Sequence, residues 1–251
     1  MKNTRQIVAL SGGKDSTAMA LRLKELNPDE PYEYISTPTG NEHAEVFTHL
    51  KGLERILKAP IRFLKPYAGD GLVECIRENK MIPNFRARFC TRELKIEPTI
   101  SFLNSIRPAI QYVGLRADEP LRKGIYGELD DIEQCYPMRD WGWSLEDVHF
   151  YLKERGVDVP ARTDCAWCFY QRLPEWKHLW KNHPKTYAKA VQIEEELGHT
   201  FRSDGRDTWP AALSELAKEF QNGRPVKGYT ETYQMELFNC HLSQSCRVCS
   251  L

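Results

Sequence analysis

Seven consecutive residues, Ser11-Gly12-Gly13-Lys14-Asp15-Ser16-Thr17, bring together two glycines, three hydroxyls, an ammonium and a carboxylate. Glycines let backbone approach a ligand closely and adopt positive φ, while Ser11 and Ser16 add donors and Lys14 adds charge. If a helix starts here, its unpaired N–H groups and its dipole favour a phosphate or pyrophosphate guest. Two common phosphate loops are excluded: Asp15 follows Gly-Lys where a Walker A loop needs Ser or Thr, and the G-x-G-x-x-G spacing is absent. Sulfur forms a second set. Cys90 sits among Arg86, Arg88, Arg92 and Lys95, a cationic setting that favours a thiolate or a bound anion. Cys165-Ala166-Trp167-Cys168 has the Cys-x-x-Cys spacing of a redox pair or half a zinc site. Cys240, His241, Cys246 and Cys249 crowd the C-terminal stretch with zinc-ligand types. A third set is Arg116 with Glu119, where a guanidinium can fork onto phosphate or sulfate oxygens and the carboxylate can orient it or hold a metal.

Hydrophobic periodicity supplies a scaffold for these residues. Ile7 to Leu10 reads as a buried strand and Ala18 to Leu26 as an amphipathic helix, which places the glycines at a strand-to-helix turn. Tyr32 to Thr37, Ile61 to Leu64 and Ala109 to Leu115 read as further strands. Helices are expected over about 43–57, 72–79, 144–156 and 186–197. The third begins with Ser144 as cap and Asp147 three positions on. Strands alternating with helices predict βαβ units and a parallel sheet. Ligands of such sheets bind beyond the strand C-terminal ends, where the loops at 11–16 and 38–42 and Arg116 all fall. Cys75 and Cys135 match no motif and read as core thiols. Trp141, Val148 and Tyr151 read as core, and the aromatics from Trp167 to Trp180 as packing for a C-terminal appendage. From Asn222 onward, glycines and polar residues predict a poorly packed extension.

Composition narrows the class. Lys plus Arg equals Asp plus Glu at 35 each, so no global field draws the chain to nucleic acid or membrane. No apolar run reaches the roughly 18 residues of a membrane span. Met1 to Arg5 leads straight into a strand, so no signal peptide is expected. A cytoplasmic protein is the expectation, and its eight cysteines then read as metal ligands or redox groups, not disulfides.

Ser-Gly-Gly-Lys-Asp-Ser resembles the signature of the PP-loop ATP pyrophosphatases. Further motifs resemble the phosphoadenosine phosphosulfate (PAPS) reductase-like superfamily in order along the chain: Cys90-Thr91 with Lys95 and Pro98, Gly114-x-Arg116-x-x-Glu119, and Pro137-x-x-Asp140-Trp141. Thr39-Gly40-Asn41-Glu42 is similar to the second nucleotide loop of these enzymes, without its usual Asp. Pro120 stands where the superfamily has Ser, and only one cysteine stands at position 90 where cluster-bearing reductases have two. The resemblance spans roughly residues 5–175.

It implies an α/β adenine nucleotide alpha hydrolase-like fold, with a nucleotide-binding domain over 1–156 and a helical, cysteine-bearing region over 157–251. It implies ATP and Mg²⁺ at Ser11, Gly12, Gly13, Lys14, Asp15, Ser16, Thr39, Gly40, Arg92 and Arg116, with Lys14, Asp15, Arg116 and Glu119 in catalytic roles. Cys90, Cys165 and Cys168 become three ligands of a [4Fe-4S] cluster. Its fourth position is open or filled by Cys240, Cys246 or Cys249; zinc is the alternative metal. The tail cysteines also suit a zinc knot or, slightly better, a mobile carrier of sulfur or electrons. The expected activity is adenylation of an acceptor with release of pyrophosphate, followed by sulfur transfer in nucleic-acid thiolation or DNA phosphorothioation. A sulfur donor such as a cysteine desulfurase, a nucleic-acid acceptor and a homodimer are the expected partners. Sulfonucleotide reduction and a non-catalytic nucleotide- or zinc-binding subunit remain as alternatives.

Overall fold

Five short strands, β1 (Arg5–Ala9), β2 (Tyr32–Ser36), β3 (Ile61–Phe63), β4 (Ala109–Tyr112) and β5 (Ile132–Cys135), form one sheet in the order β3-β2-β1-β4-β5. Every neighbouring pair is parallel. The computed structural model describes residues 4–66, 71–122, 124, 129–160 and 162–229. Alternate residues of the strands serve opposite faces: Val8, Tyr32 and Tyr34 enter one apolar core, and Ile7, Ile35 and Ala109 another. Coverage on both faces is what a parallel sheet requires.

Helices α1 (Lys14–Leu26) and α2 (Ala44–Leu57) follow β1 and β2. Met19, Leu21, Leu23, Val46, Leu50, Leu53 and Leu57 bury their helical stripes against the first core. After β3 come α3 (Gly71–Asn79), a single turn α4 (Phe89–Thr91), a π-helical stretch over Arg92–Ile96, and α5 (Glu97–Ser105). After β5 come α6 (Pro137–Asp140) and α7 (Leu145–Glu154), the latter opened by a capping box between Ser144 and Asp147. The C-terminal part adds α8 (Leu173–Asn182), α9 (Pro184–Leu197) and α10 (Leu213–Gln221). This is an α/β fold built on a five-stranded parallel sheet, with C-terminal helices.

A third core joins distant halves of the chain. Leu72, Val73, Ile76, Ile82 and Leu94 pack with Trp167, Trp176, Phe201, Leu216 and Phe220. The sulfur-bearing loop is therefore clamped between the sheet domain and the C-terminal helices. Val148 and Tyr151 are buried and Trp141 partly so. Cys75 is fully buried, whereas Cys135 is only half-buried because it lies on an edge strand. The extension from Asn222 is better packed than its composition predicts, since Val226 is buried and Tyr229 lies against the third core. Cys240, Cys246 and Cys249 lie outside the described residues. Among the described residues no helix is long and apolar enough to cross a membrane.

Candidate nucleotide and thiol site

The glycine loop joins β1 to α1 at the point where the sheet order reverses, with β2 on one side of β1 and β4 on the other. Gly12 takes φ +78°, and a Cβ there would press on Val46 at 3.1 Å. Ser16 Oγ donates to the Gly13 carbonyl (3.1 Å) and accepts from the Ser11 amide (3.2 Å), and the two serine hydroxyls stand 3.0 Å apart. These bonds set the shape of the loop. Gly13 caps α1 without any side-chain cap, so the first-turn amides of the helix keep the orientation that suits an anion.

The loop after β4 presses on it from the other side. Gly114 comes so near that a Cβ would lie 3.1 Å from the Ser16 amide nitrogen. Arg116 is 2% exposed and reaches across: its Nη1 donates to both oxygens of Asp15 (3.1 and 3.0 Å), and its Nε to Asp118 (2.8 Å). Glu119 pairs with the third nitrogen at 3.3 Å and with Arg122 at 2.9 Å. Asp118 accepts in turn from the Leu145 amide at the start of α7. Arg116 thus locks the glycine loop, and Asp15 is committed to it. Arg92 is 63% exposed and paired with Glu93 and Glu97.

The loop after β2 links the glycine loop to the thiols. Glu42 turns back so that its carboxylate accepts from the amides of Thr39 (2.7 Å) and Gly40 (3.0 Å) and from the Thr39 hydroxyl. The next carbonyl, Asn41, accepts from the Ala166 amide at 2.7 Å, inside the Cys-x-x-Cys turn. Thr163 is also close enough that a Cβ on Gly13 would meet its hydroxyl at 3.3 Å.

Arg162 underpins this turn by donating to Gln171 (2.7 Å) and to the Cys165 carbonyl (3.3 Å), while Gln171 donates to the Ala166 carbonyl. The three thiols lie near enough to feel one another's charge. The adjoining Cys168 thiol, above all, raises the Cys165 thiol above its ordinary range, and burial acts the same way. Cys165, helped by Arg162, lowers Cys168 against the cost of burial. Burial raises Cys90 above the ordinary thiol range, and the charge at Cys168 adds to it. Among the described residues no group of three or more His, Cys, Asp or Glu side chains is disposed to hold a metal ion. An iron–sulfur cluster has several irons, so its thiolates need not converge on one point. An all-sulfur donor set, packed against apolar Ala166 and Trp167 and beside a cation, fits that group in chemistry.

Asn41, Arg162, Thr163 and Gln171 were not legible in the sequence as site residues, because their roles rest on backbone bonds and long-range pairing. A histidine group went unmarked as well. The rings of His43 and His183 are 5.0 Å apart, and those of His178 and His183 5.8 Å. Burial, with Arg162 and His183 nearby, pushes His43 down to about 4. The signal available for the glycine loop was its unbroken motif; these residues have none.

The family model of the phosphoadenosine phosphosulfate reductase domain matches residues 5–161. Among solved structures, the PAPS reductase of Candida auris in its phosphate complex is similar with a TM-score of 0.50 and 14% identity, over 63% of this chain and 76% of that one. The U34-tRNA thiolase NcsA of Methanococcus maripaludis with its [4Fe-4S] cluster gives 0.45 and 17%, over 86% and 81%. The NMN synthetase of Francisella tularensis gives 0.46 and 14%, over 95% and 83%. At such identities the likeness concerns the fold alone. No curated protein matches the chain.

Proposed function

Because the chain belongs to the phosphoadenosine phosphosulfate reductase domain family, we propose that it is a PP-loop ATP pyrophosphatase that activates a nucleic-acid acceptor for sulfur transfer. The observation that carries this reading is the hydrogen bond from the Ala166 amide to the Asn41 carbonyl. It ties a thiol turn directly to a loop beside the phosphate-type turn. That bond supports a nucleotide site and a sulfur site side by side beyond the C-terminal ends of the strands.

In this reading the amides opening α1, the Ser11 and Ser16 hydroxyls and the Lys14 ammonium hold the β- and γ-phosphates of ATP with Mg²⁺. An acceptor oxygen attacks the α-phosphorus; the new P–O bond forms as the bond to the bridging oxygen breaks, and pyrophosphate leaves. Neutralising the charge on that leaving group is the largest contribution the loop can make. Asp15 and Glu119 act through Arg116, keeping the loop in shape. A hydrosulfide equivalent from a sulfur donor then displaces AMP at the acceptor carbon or phosphorus. Cys90, Cys165 and Cys168 would hold a [4Fe-4S] cluster, which supplies an iron site able to bind sulfide. Arg162 and Gln171 fix the turn that carries two of these ligands.

The test uses full-length protein prepared without oxygen and supplied with ATP. The wild type is expected to release pyrophosphate and to contain iron and acid-labile sulfide. Lys14→Ala is expected to lose at least about 100-fold in pyrophosphate release while keeping its iron; one removed charge-stabilising donor has that order of effect. Cys168→Ala is expected to lose the iron. Pyrophosphate release by Lys14→Ala at the wild-type rate, or colourless wild-type protein holding one zinc per chain, overturns the reading. Turnover of PAPS but not ATP would establish the sulfonucleotide reductase alternative instead.

A further inference from the structure

Two stretches far apart in sequence meet on a surface that neither the nucleotide loop nor the thiols explain. Phe85 precedes α4, and Phe169-Tyr170 directly follows Cys168. The Phe85 ring stands edge-on to both, with centroids 5.3 Å from Phe169 and 4.8 Å from Tyr170. Phe169 and Tyr170 are 4.5 Å apart. Arg88 lies over the Tyr170 ring at 5.6 Å and Arg206 over the Phe85 ring at 5.9 Å. Arg206 also donates to the Phe169 carbonyl at 3.2 Å. Packing accounts for Phe169, which is 6% exposed, but not for Phe85, which is 48% exposed. The Phe85 loop is nonetheless built to a fixed shape. Asn84 Oδ1 accepts from the amides of Arg86 and Ala87, and the Asn84 amide donates to the Ala87 carbonyl.

A half-exposed ring held in place, with guanidinium groups around it, has the make-up of a stacking platform. Bases stack on aromatic faces and on guanidinium planes, and arginines take the phosphates between them. The whole chain carries no net charge, so the cationic character of the exposed Arg86 and Arg206 is local, as charge complementarity to a single docked strand requires. Only an unpaired base can stack there. RNA presents such bases in folded loops at no melting cost, whereas duplex DNA must first be opened.

We propose that Phe85 and Tyr170, with Arg86 and Arg206, dock an unpaired loop base of an RNA acceptor beside the Cys165–Cys168 turn. This deepens the sulfur-transfer reading and rests on it for the chemistry, though not for the binding.

The experiment is fluorescence anisotropy of full-length protein with a labelled RNA hairpin bearing a seven-nucleotide loop. A blunt RNA duplex of equal length and a DNA strand of the loop sequence serve as competitors. Phe85→Ala is expected to weaken hairpin binding about tenfold or more, the usual scale for one lost stacking partner. Phe85→Trp is expected to retain binding. Arg206→Gln is expected to weaken it and to reduce its salt dependence. Melting temperatures accompany each variant, and Phe85→Leu, which keeps apolar bulk without a ring face, replaces any Phe85→Ala protein that fails to fold. The surface is refuted if the wild type does not bind the hairpin, if Phe85→Ala and Phe85→Leu bind it as the wild type does, or if duplex or DNA competes equally. Nucleotide chemistry is read apart from this. Wild-type pyrophosphate release by Lys14→Ala would remove the sulfur-transfer reading. An RNA affinity that still depends on Phe85 would support the surface all the same.

Discussion

At Arg116 a single guanidinium, 2% exposed, faces Asp15 and Glu119, whose side chains are 11% and 13% exposed. Removing the cation leaves two carboxylates in poor solvent, and breaking a buried pair in this way costs about 3–5 kcal/mol. Arg116→Met is therefore expected to lower unfolding stability by that order in urea titrations. Arg116→Lys is expected to lose less, since it keeps the charge but not the fork that serves three partners. Equal stability of Arg116→Met and wild type would show that the pairs contribute nothing. Arg116, Glu119 and Asp15 were each visible in the sequence as chemistry-bearing residues. Their mutual engagement was not, because Asp15 and Arg116 are 101 positions apart and no local spacing encodes such a pairing. Arg116 was expected to face a ligand anion, and the structure gives its nitrogens to carboxylates.

Among the elements, α9 carries a buried carboxyl in its last turn. Glu194 accepts from the Phe201 amide (2.8 Å) and the Leu213 amide (2.6 Å), tying the following loop and the start of α10 to the helix. Burial pushes its carboxyl up to about 7, with those two amides and Arg202 pulling the other way. Between its ordinary value and about 7 the folded state holds the extra proton, so this group's contribution to stability falls as pH rises through that window. His43 has the opposite sign: burial pushes it down to about 4, and its contribution is lost as pH falls below the ordinary imidazole range. His49 and His178 are lowered likewise. Calorimetric melting at about pH 5 and about pH 7 separates the two signs. Relative to wild type, Glu194→Gln is expected to lose more melting temperature on acidification and His43→Gln to lose less; the reverse order would contradict both assignments. Periodicity announced α1, α2, α7 and α9 because each carries a clear apolar stripe. It did not announce β5, whose Ile132-Glu133-Gln134-Cys135 becomes a strand only through its ladder with β4. Nor did it announce α8 and α10, whose aromatic and apolar residues were legible only as packing material.

For the molecule as a whole, the question is whether residues 1–156 stand without the C-terminal helices. Its sequence motifs end near Trp141, and a boundary after residue 156 was the expectation from them. The third core crosses that boundary: Leu72, Val73, Ile76 and Leu94 are all buried, and they pack with Trp167, Trp176, Leu216 and Phe220. Severing the chain there would uncover a contiguous apolar face on α3 and the π-helical stretch beside Cys90. Burial of a large aliphatic side chain is worth roughly 1.5–3 kcal/mol, so four such residues weigh heavily against a stability of about 5–15 kcal/mol for a domain. Motif order could not foretell this, because a shared core depends on which helix faces meet, and residues 72–94 carry no mark of their distant partners. A fragment of residues 1–156 is expected to bind a hydrophobic dye and to melt without a cooperative transition, while the full chain melts cooperatively. Restoring residues 157–229 is expected to restore that transition whether or not the cysteines are intact, since Trp176, Leu216 and Phe220 supply the missing face. A fragment that melts cooperatively with full ATP affinity would instead mean that the nucleotide loop, Arg116 and the sheet suffice alone, and that the thiol turn is an attachment to a finished domain.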